Sequence, residues 1–395
     1  MPFSPKRPAF ARRVGSAGAA LLGILALAGA RTTALKEGGG FIVTIGRDTI
    51  AAESYAIADD GVLTGASMVR SDRTTLTRYY TLKLDKSGNL ASYEIAVFPP
   101  GVEPGGRPML HSIWTPMGDA IHEVVHTDSA HTLHIVTPAN TLPFMNLGFG
   151  MWQAVTMRLE KSGPDSIVVP MLFTNDTTHY TTIAKKLGKD SVVMTSIFGV
   201  GRAKVDAQGH ILGYAAPGST QQVVVTRVAN VDVKALAAIF AARPPLGQLS
   251  PPDTARATIG AAKMWVAYGR PSMRGRVIFG GVVPWNMWWR TGANSATTFV
   301  TDKDLVIGGA AVPAGEYTLF TLPGPNGWKL IISKLTKEWG TDYDPKMDLA
   351  RVDMTVTALS APVEQVTIAI TPQGTGGMLT VSWERTAASV AIQVK

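Results

Sequence analysis

The residues best equipped for chemistry are histidines. His122-Glu123-Val124-Val125-His126 has the H-E-x-x-H spacing of zinc peptidases. In those enzymes a helix presents both imidazoles on one face, with the glutamate beside them as general base. Four of the seven histidines (His122, His126, His131 and His134) fall within 13 residues. On this reading His122 and His126 hold zinc, Glu123 is the catalytic base, and the protein is a zinc-dependent hydrolase. The chemistry requires a helix. On a strand, four residues span about 13 Å, too far for two imidazoles to share one ion, and Glu123 points to the opposite face. The window is short, β-branched and bounded by Pro116 and Thr127-Asp128-Ser129, which favours a plain β-hairpin. Across such a hairpin, His126 with His131 or His134 is a further pairing that would suit a non-catalytic metal.

A second group is Trp285, Trp288 and Trp289 with Asn286, Arg290, Thr291 and Asn294. On a strand, Trp285, Met287 and Trp289 face one side and are expected in the core, while Asn286, Trp288 and Arg290 face the other. An aromatic plane beside hydrogen-bonding groups is the chemistry of a glycan or peptide platform, so Trp288, Arg290, Thr291 and Asn294 are the ligand-binding candidates. The competing reading has Arg290 bonded to loop carbonyls and Trp288 covering core. Asp342, Asp344 and Asp348 offer oxygen ligands for calcium. The glycine and closing glutamate of a calcium loop are missing and Pro345 interrupts it, so a solvated acidic turn is expected. There is no G-x-S-x-G elbow, P-loop or strand-linked G-x-G-x-x-G, so serine hydrolases, nucleotide hydrolases and dinucleotide enzymes lack support.

The elements that must carry these residues read as strands. From Phe41 onward, apolar and polar residues alternate, with turn clusters about every ten residues. Phe41–Ile45, Thr49–Ile57, Val62–Arg70, Thr74–Leu84 and Leu90–Phe98 are separated by Gly46-Arg47-Asp48, Asp59-Asp60-Gly61, Ser71-Asp72-Arg73 and Asp85-Lys86-Ser87-Gly88-Asn89. The texture resumes at Ile167–Phe173 and runs to Gln221–Arg227. One helix is expected, Val233–Arg243, with Asp232 as N-cap and Pro244-Pro245 as stop. Residues 244–258, with four prolines, read as a linker. Residues 259–395 alternate again through eight expected strands, Val277–Phe279 the first. The fold class is therefore all-β. An N-terminal antiparallel meander or roll over 41–243, with one closing helix, is linked to a C-terminal β-sandwich.

The second domain carries Tyr268-Gly269-Arg270-Pro271-Ser272, Arg274-Gly275-Arg276, Phe279-Gly280-Gly281-Val282-Val283-Pro284 and Trp289-Arg290-Thr291-Gly292-Ala293-Asn294. Pro313-Ala314-Gly315-Glu316-Tyr317, Trp339-Gly340 and Trp383-Glu384 follow in order. With these motifs it resembles the bacterial family named for domain of unknown function 2911. The resemblance implies an exported β-rich module and implies no reaction. The chain departs from the family at Trp285-Asn286-Met287-Trp288, where members often carry a small or basic residue. The first domain resembles no family.

The N-terminus bears on compartment. Lys6, Arg7, Arg12 and Arg13 precede Ala17–Ala30, an uncharged run of 14 residues. That is the pattern of a cleavable signal peptide over residues 1–30, and it is too short to span a bilayer. With no cysteine in the chain, a lipoprotein anchor, disulfides and thiolate metal sites are all excluded. The formal net charge is +8, but four of those charges lie in the leader. No dense basic run remains for nucleic acid, and no segment reaches membrane-spanning length. The expectation is an exported, non-catalytic protein, periplasmic or extracellular and soluble. It would bind a ligand or partner, a glycan or peptide, without a cofactor.

Overall fold

A computed structural model describes residues 35–197, 199–216, 222–337, 340 and 342–395. The expected signal peptide and Trp339 lie outside the described residues.

The N-terminal domain is one sheet, antiparallel except at one edge pair, built in two runs. The first is β1 (Leu35–Ile45), β2 (Asp48–Ala58), β3 (Leu63–Arg70), β4 (Thr75–Leu84), β5 (Leu90–Phe98), β6 (Leu110–Met117), β7 (Ala120–His126) and β8 (Ala130–Val136). After the short β9 (Leu142–Phe144) and helix α1 (Phe149–Ser162), the second run is β10 (Ser166–Phe173), β11 (His179–Lys186), β12 (Ser191–Ser196), β13 (Gly199–Val205), β14 (Ile211–Ala215) and β15 (Val223–Val228). Each run is a meander, because successive strands pair with their neighbours in the chain, most of them through short turns. At β4–β5, for example, Asp85 Oδ1 accepts from Ser87 N and Asn89 N while Gly88 takes φ 82°. Pairing of β1 with β15 fuses the runs, β9 lies parallel to β10, and β8 and β9 are the two edges.

Alternation along the strands gives the sheet two apolar faces. On the concave face Phe41, Val43, Ala51, Tyr55, Leu82, Tyr93 and Trp114 form a core with Phe149, Trp152, Val155 and Leu159 of α1. On the convex face Ala52 and Met68 pack against Val231, Val233 and Phe240, the last two on α2 (Val233–Ala241). Asp232 caps α2 by accepting from Ala235 N, and Arg70 lies over the Phe240 ring. The sheet curls round α1, which touches β1, β2 and β3 of one run and β10, β11 and β14 of the other. The expected closing helix is thus present as α2. Helix α1 is an additional element: residues buried on every side of its first two turns leave no amphipathic stripe for the sequence to display.

The C-terminal domain comprises β16 (Pro252–Ile259), β17 (Ala262–Gly269), β18 (Thr297–Thr301), β19 (Leu305–Ile307), β20 (Ala310–Val312), β21 (Gly315–Leu322), β22 (Trp328–Ser333), β23 (Asp348–Gln373) and β24 (Gly376–Val394). The long strands β23 and β24 carry register shifts in their pairing and link a β16-β17-β18-β21-β22 half to a β19-β20 half. The halves enclose one core, centred on Trp289 stacked on Trp383 at 5.6 Å with Phe279 edge-on to both. Strand β16 begins at Pro252, so ordered sheet starts inside the stretch expected to be linker. Val277–Phe279 is not a strand. It belongs to a loop in which Gly280 N bonds Val283 O.

Candidate functional site

Helix α1 is held by hydrogen bonds along its length, and the first is to a buried carboxyl group. Its N-cap, Gly148, has no side chain to cap the free N–H groups. Glu53, fully buried on the concave face of β2, does so instead: its Oε2 accepts from Gly150 N at 2.8 Å and its Oε1 from the Tyr80 hydroxyl at 2.7 Å. A carboxylate at a helix N-terminus is favoured by the helix dipole. Burial nevertheless pushes the Glu53 carboxyl above its usual range, against the Gly150 and Tyr80 hydrogen bonds and the Arg78 charge. Gly150 fits because it has no side chain; a Cβ there would lie 2.4 Å from the Tyr80 hydroxyl. Further along, Gln153 Oε1 accepts from Ile211 N, and Thr156 Oγ1 donates to Gly209 O. Arg158 Nη1 donates to Asn140 O, and its Nη2 to Gly88 O.

Held this way, α1 leaves a cavity of about 490 Å³ between itself and the ends of β2, β3 and β4. Ile57, Leu63, Leu82 and Ala154 are buried around it, with Met157 and Leu84 half-buried. The lining becomes exposed and polar at Asp60, Asp85, Lys86, Lys161 and Gln208, so the mouth lies among the turns after β2, β4 and β13. Arg158 sits between floor and mouth, and burial lowers its pKa against the opposing charge of Asp85. Glu160 at the mouth is already paired with Lys186. Two buried donors on the lining residues, Gln153 Nε2 and Arg158 Nε, have no hydrogen-bond partner. Volume and composition match small-molecule sites, which run about 300–1,000 Å³ and are apolar with a few placed polar groups.

The histidine motif is strand β7. Glu123 points into the core, where its Oε1 accepts from Ser112 Oγ at 2.7 Å and from Asn175 N at 2.8 Å. His122 and His126 lie on the outer face. His122 meets His134 across the β7–β8 pair at 2.6 Å, and His126 stacks on His111. Base and ligands therefore face opposite sides of a sheet, and the helical arrangement that zinc peptidase chemistry needs is not formed. The anticipated pairing of His126 with His131 or His134 is replaced by His122–His134, and His131 bonds Asn175 Oδ1.

In the C-terminal domain the stretch from Trp285 to Arg290 is a loop joined to β21 by a backbone bridge between Trp289 and Thr321. Strand alternation fails there: Trp289 is core, but Trp285 and Met287 are exposed at 39% and 55% rather than buried. Of the four binding candidates, Arg290 donates from Nη1 to Asn294 O at 2.7 Å, and Thr291 is buried with its hydroxyl toward Trp289 O and Thr321. Trp288 leans on Phe320 and Tyr343 and is 36% exposed. Asn294 is exposed with φ 65° and contributes its backbone oxygen. The four are close together; Arg290 Nη1 and the Thr291 hydroxyl are engaged by the loop and β21, while Asn294 takes part through its backbone. Asp344 and Asp348 likewise serve their own turn, capping Lys346 N and bonding Arg351. Among the described residues no group of three metal-ligating side chains assembles.

Residues 250–392 match the family described as Protein of unknown function (DUF2911). The C-terminal domain therefore resembles this family over nearly its whole length. The motifs that carry the likeness hold the fold: Arg270 reaches Val366 O and Thr367, Trp289 Nε1 bonds Gly292 O, and Trp383 Nε1 bonds Glu364 O. No curated protein matches the chain. Among solved structures, a DUF1089 family protein from Pseudomonas aeruginosa is 15% identical, with 42% of this chain and 90% of that one covered at a TM-score of 0.31.

Proposed function

We propose that this is an exported, non-catalytic binding protein that holds one amphiphilic molecule between α1 and the curled N-terminal sheet. The observation that carries the reading is the cavity's gradient: an apolar floor of Ile57, Leu63, Leu82 and Ala154 rises to a mouth bearing Asp60, Lys86 and Lys161. An apolar chain leaves water on entering the floor, at about 25 cal/mol per Å² of apolar surface, while a polar head keeps its hydration at the mouth. The basic and apolar leader before Arg31 supports export, and no helix among the described residues is long and apolar enough to cross a membrane. Binding is assigned to the N-terminal domain because the cavity lies there, while Arg290 Nη1 and the Thr291 hydroxyl near Trp288 are already bonded. The hydrolase alternative is not carried forward, since Glu123 and the two histidines face opposite ways.

The test is displacement of a fluorescent fatty-acyl probe from the purified protein. Wild type should bind at about one site per chain. Ala154→Trp, which fills the floor, should abolish binding while the far-UV spectrum is retained. Unchanged probe affinity in that variant would place the site elsewhere.

A further inference from the structure

The loop from Val277 to Trp289 contains no charged residue. Ile278, Phe279, Val282, Val283 and Trp289 are buried and seat it on the core of the C-terminal domain. Val277, Trp285, Met287 and Trp288 are exposed instead, at 67%, 39%, 55% and 36%. A bonded backbone imposes this exposure. Gly280 N bonds Val283 O, Gly281 N bonds Ile278 O, Asn286 N bonds Pro323 O and Trp289 N bonds Thr321 O, at 2.7 to 3.1 Å. Val277 lies against Gly281 and the Trp285 indole against Gly280, so the two ends of the loop converge. Large apolar side chains held together in water mark an interaction surface.

Polarity and charge indicate what covers it. The indole N–H groups of Trp285 and Trp288 make no hydrogen bond among the described residues. Neighbours that the loop touches, Phe320, Thr321, Pro323, Gly324 and Tyr343, are uncharged. From Thr254 to Thr301 the chain has no acid and six basic residues, Arg290 at the loop's end among them. Arg290 bonds the Asn294 oxygen and has no carboxylate partner among the described residues. Indole rings with free donors settle at the headgroup level of a bilayer, where basic residues are drawn to anionic lipid. A protein partner would instead meet a polar rim, and Asn286 is the loop's one polar side chain apart from the indoles.

We infer that the Val277–Trp289 loop docks this protein on an anionic lipid surface, with Val277, Trp285, Met287 and Trp288 seated among the headgroups. The loop belongs to the C-terminal domain, so this contact is independent of whether the N-terminal cavity holds a ligand.

The test is co-sedimentation of the exported, processed protein with vesicles of equimolar phosphatidylglycerol and phosphatidylcholine. Wild type should sediment with them, bind pure phosphatidylcholine more weakly, and be released as salt is raised. Met287→Asp and Val277→Asp change exposed positions and should keep the thermal midpoint. Each should lower partitioning about tenfold or more, the worth of one apolar side chain withdrawn from water. Ala154→Trp, which fills the N-terminal cavity, should sediment as wild type does. Absence of wild type from the pellet, or partitioning untouched in both loop variants, overturns the inference. Loss of sedimentation in Ala154→Trp also overturns it, by assigning the vesicle contact to the cavity. Self-association of wild type that Met287→Asp abolishes, without vesicle binding, would make the loop a contact between copies of this chain and overturn it equally.

Discussion

Replacing Gly150 by alanine sets helix propensity against site geometry, and the two predict opposite signs. In a helix, alanine is favoured over glycine by about 1 kcal/mol, less in the first turn. Here the new Cβ would stand 2.4 Å from the Tyr80 hydroxyl, 3.1 Å from Glu53 Oε1 and 3.2 Å from Tyr55 Cβ. All three neighbours are buried on the sheet, so relief must come from moving α1 away. Overpacking of this kind costs about 1–3 kcal/mol. The same movement stretches the 2.8 Å bond from Gly150 N to Glu53, and a buried acceptor stripped of its donor costs about 1–3 kcal/mol more. The expected net effect is a loss of about 1–5 kcal/mol from the N-terminal domain. Urea unfolding followed by far-UV circular dichroism should show the N-terminal transition at lower denaturant and the C-terminal one unmoved. In a Tyr80→Phe background the nearest clashing atom is gone, so Gly150→Ala should cost measurably less there. An unchanged or raised midpoint for Gly150→Ala would refute the Glu53–Gly150 contact as the anchor of α1.

Further outcomes follow from the same contacts. Burial raises the folded-state pKa of Glu53 above its reference value of 4.5. Its contribution to stability is therefore complete below that pH and is lost as pH rises through the raised value. Glu53→Gln should flatten this decline, and urea midpoints from pH 4.5 to 8 that stay parallel to wild type would contradict it. Glu123→Ala should cost about 1–3 kcal/mol by stranding Ser112 and Asn175 N. His122→Ala, His126→Ala and added chelator should each leave the thermal midpoint unmoved; a fall with chelator alone would reveal a structural metal. Trp383→Ala should remove about 3–5 kcal/mol from the C-terminal domain by emptying the site stacked on Trp289. Arg290→Ala should lower that domain's stability by freeing the Asn294 loop, with no change in binding of the fatty-acyl probe; loss of probe binding would return the site to Trp288 and Arg290.

Strand texture was legible because most N-terminal strands pack one face on a core, which imposes period two. The expected Leu90–Phe98 is β5 residue for residue, and Thr74–Leu84 differs from β4 at one end only. Helix α1 was not legible. It starts after Gly148 without a capping side chain; Glu53 of β2 accepts from its first turn, and its own Gln153 accepts from Ile211 N of β14. Such support is tertiary, and no local window contains it. Glu53 did leave a trace. In Ala51–Ile57 it occupies the same period-two face as Ala51, Tyr55 and Ile57, so an acid was due on the dry side of the sheet. Trp285 and Met287 misled because alternation was read into a loop, where left-handed residues at Asn286, Thr291 and Asn294 break the period.

The H-E-x-x-H spacing illustrates how one string of residues takes its meaning from backbone geometry. On a helix the string would converge on an ion. On β7 it separates into an outer row of imidazoles and an inner carboxylate, and the carboxylate has a different task. Asn175 lies just beyond β10, near the far edge of the sheet, yet its N–H reaches Glu123 two strands from the opposite end. His131 on β8 reaches the Asn175 side chain from outside. Together they draw the two arms of the sheet toward each other where β8 and β9 leave it open. Glu53 acts near the middle of the same sheet, fixing α1 inside the curl. Two buried glutamates thus set the geometry on which the cavity depends: one keeps the arms drawn together, and the other keeps the helix at the distance that leaves about 490 Å³ between it and the sheet. Neither needs to touch a ligand for its loss to change what the cavity can hold.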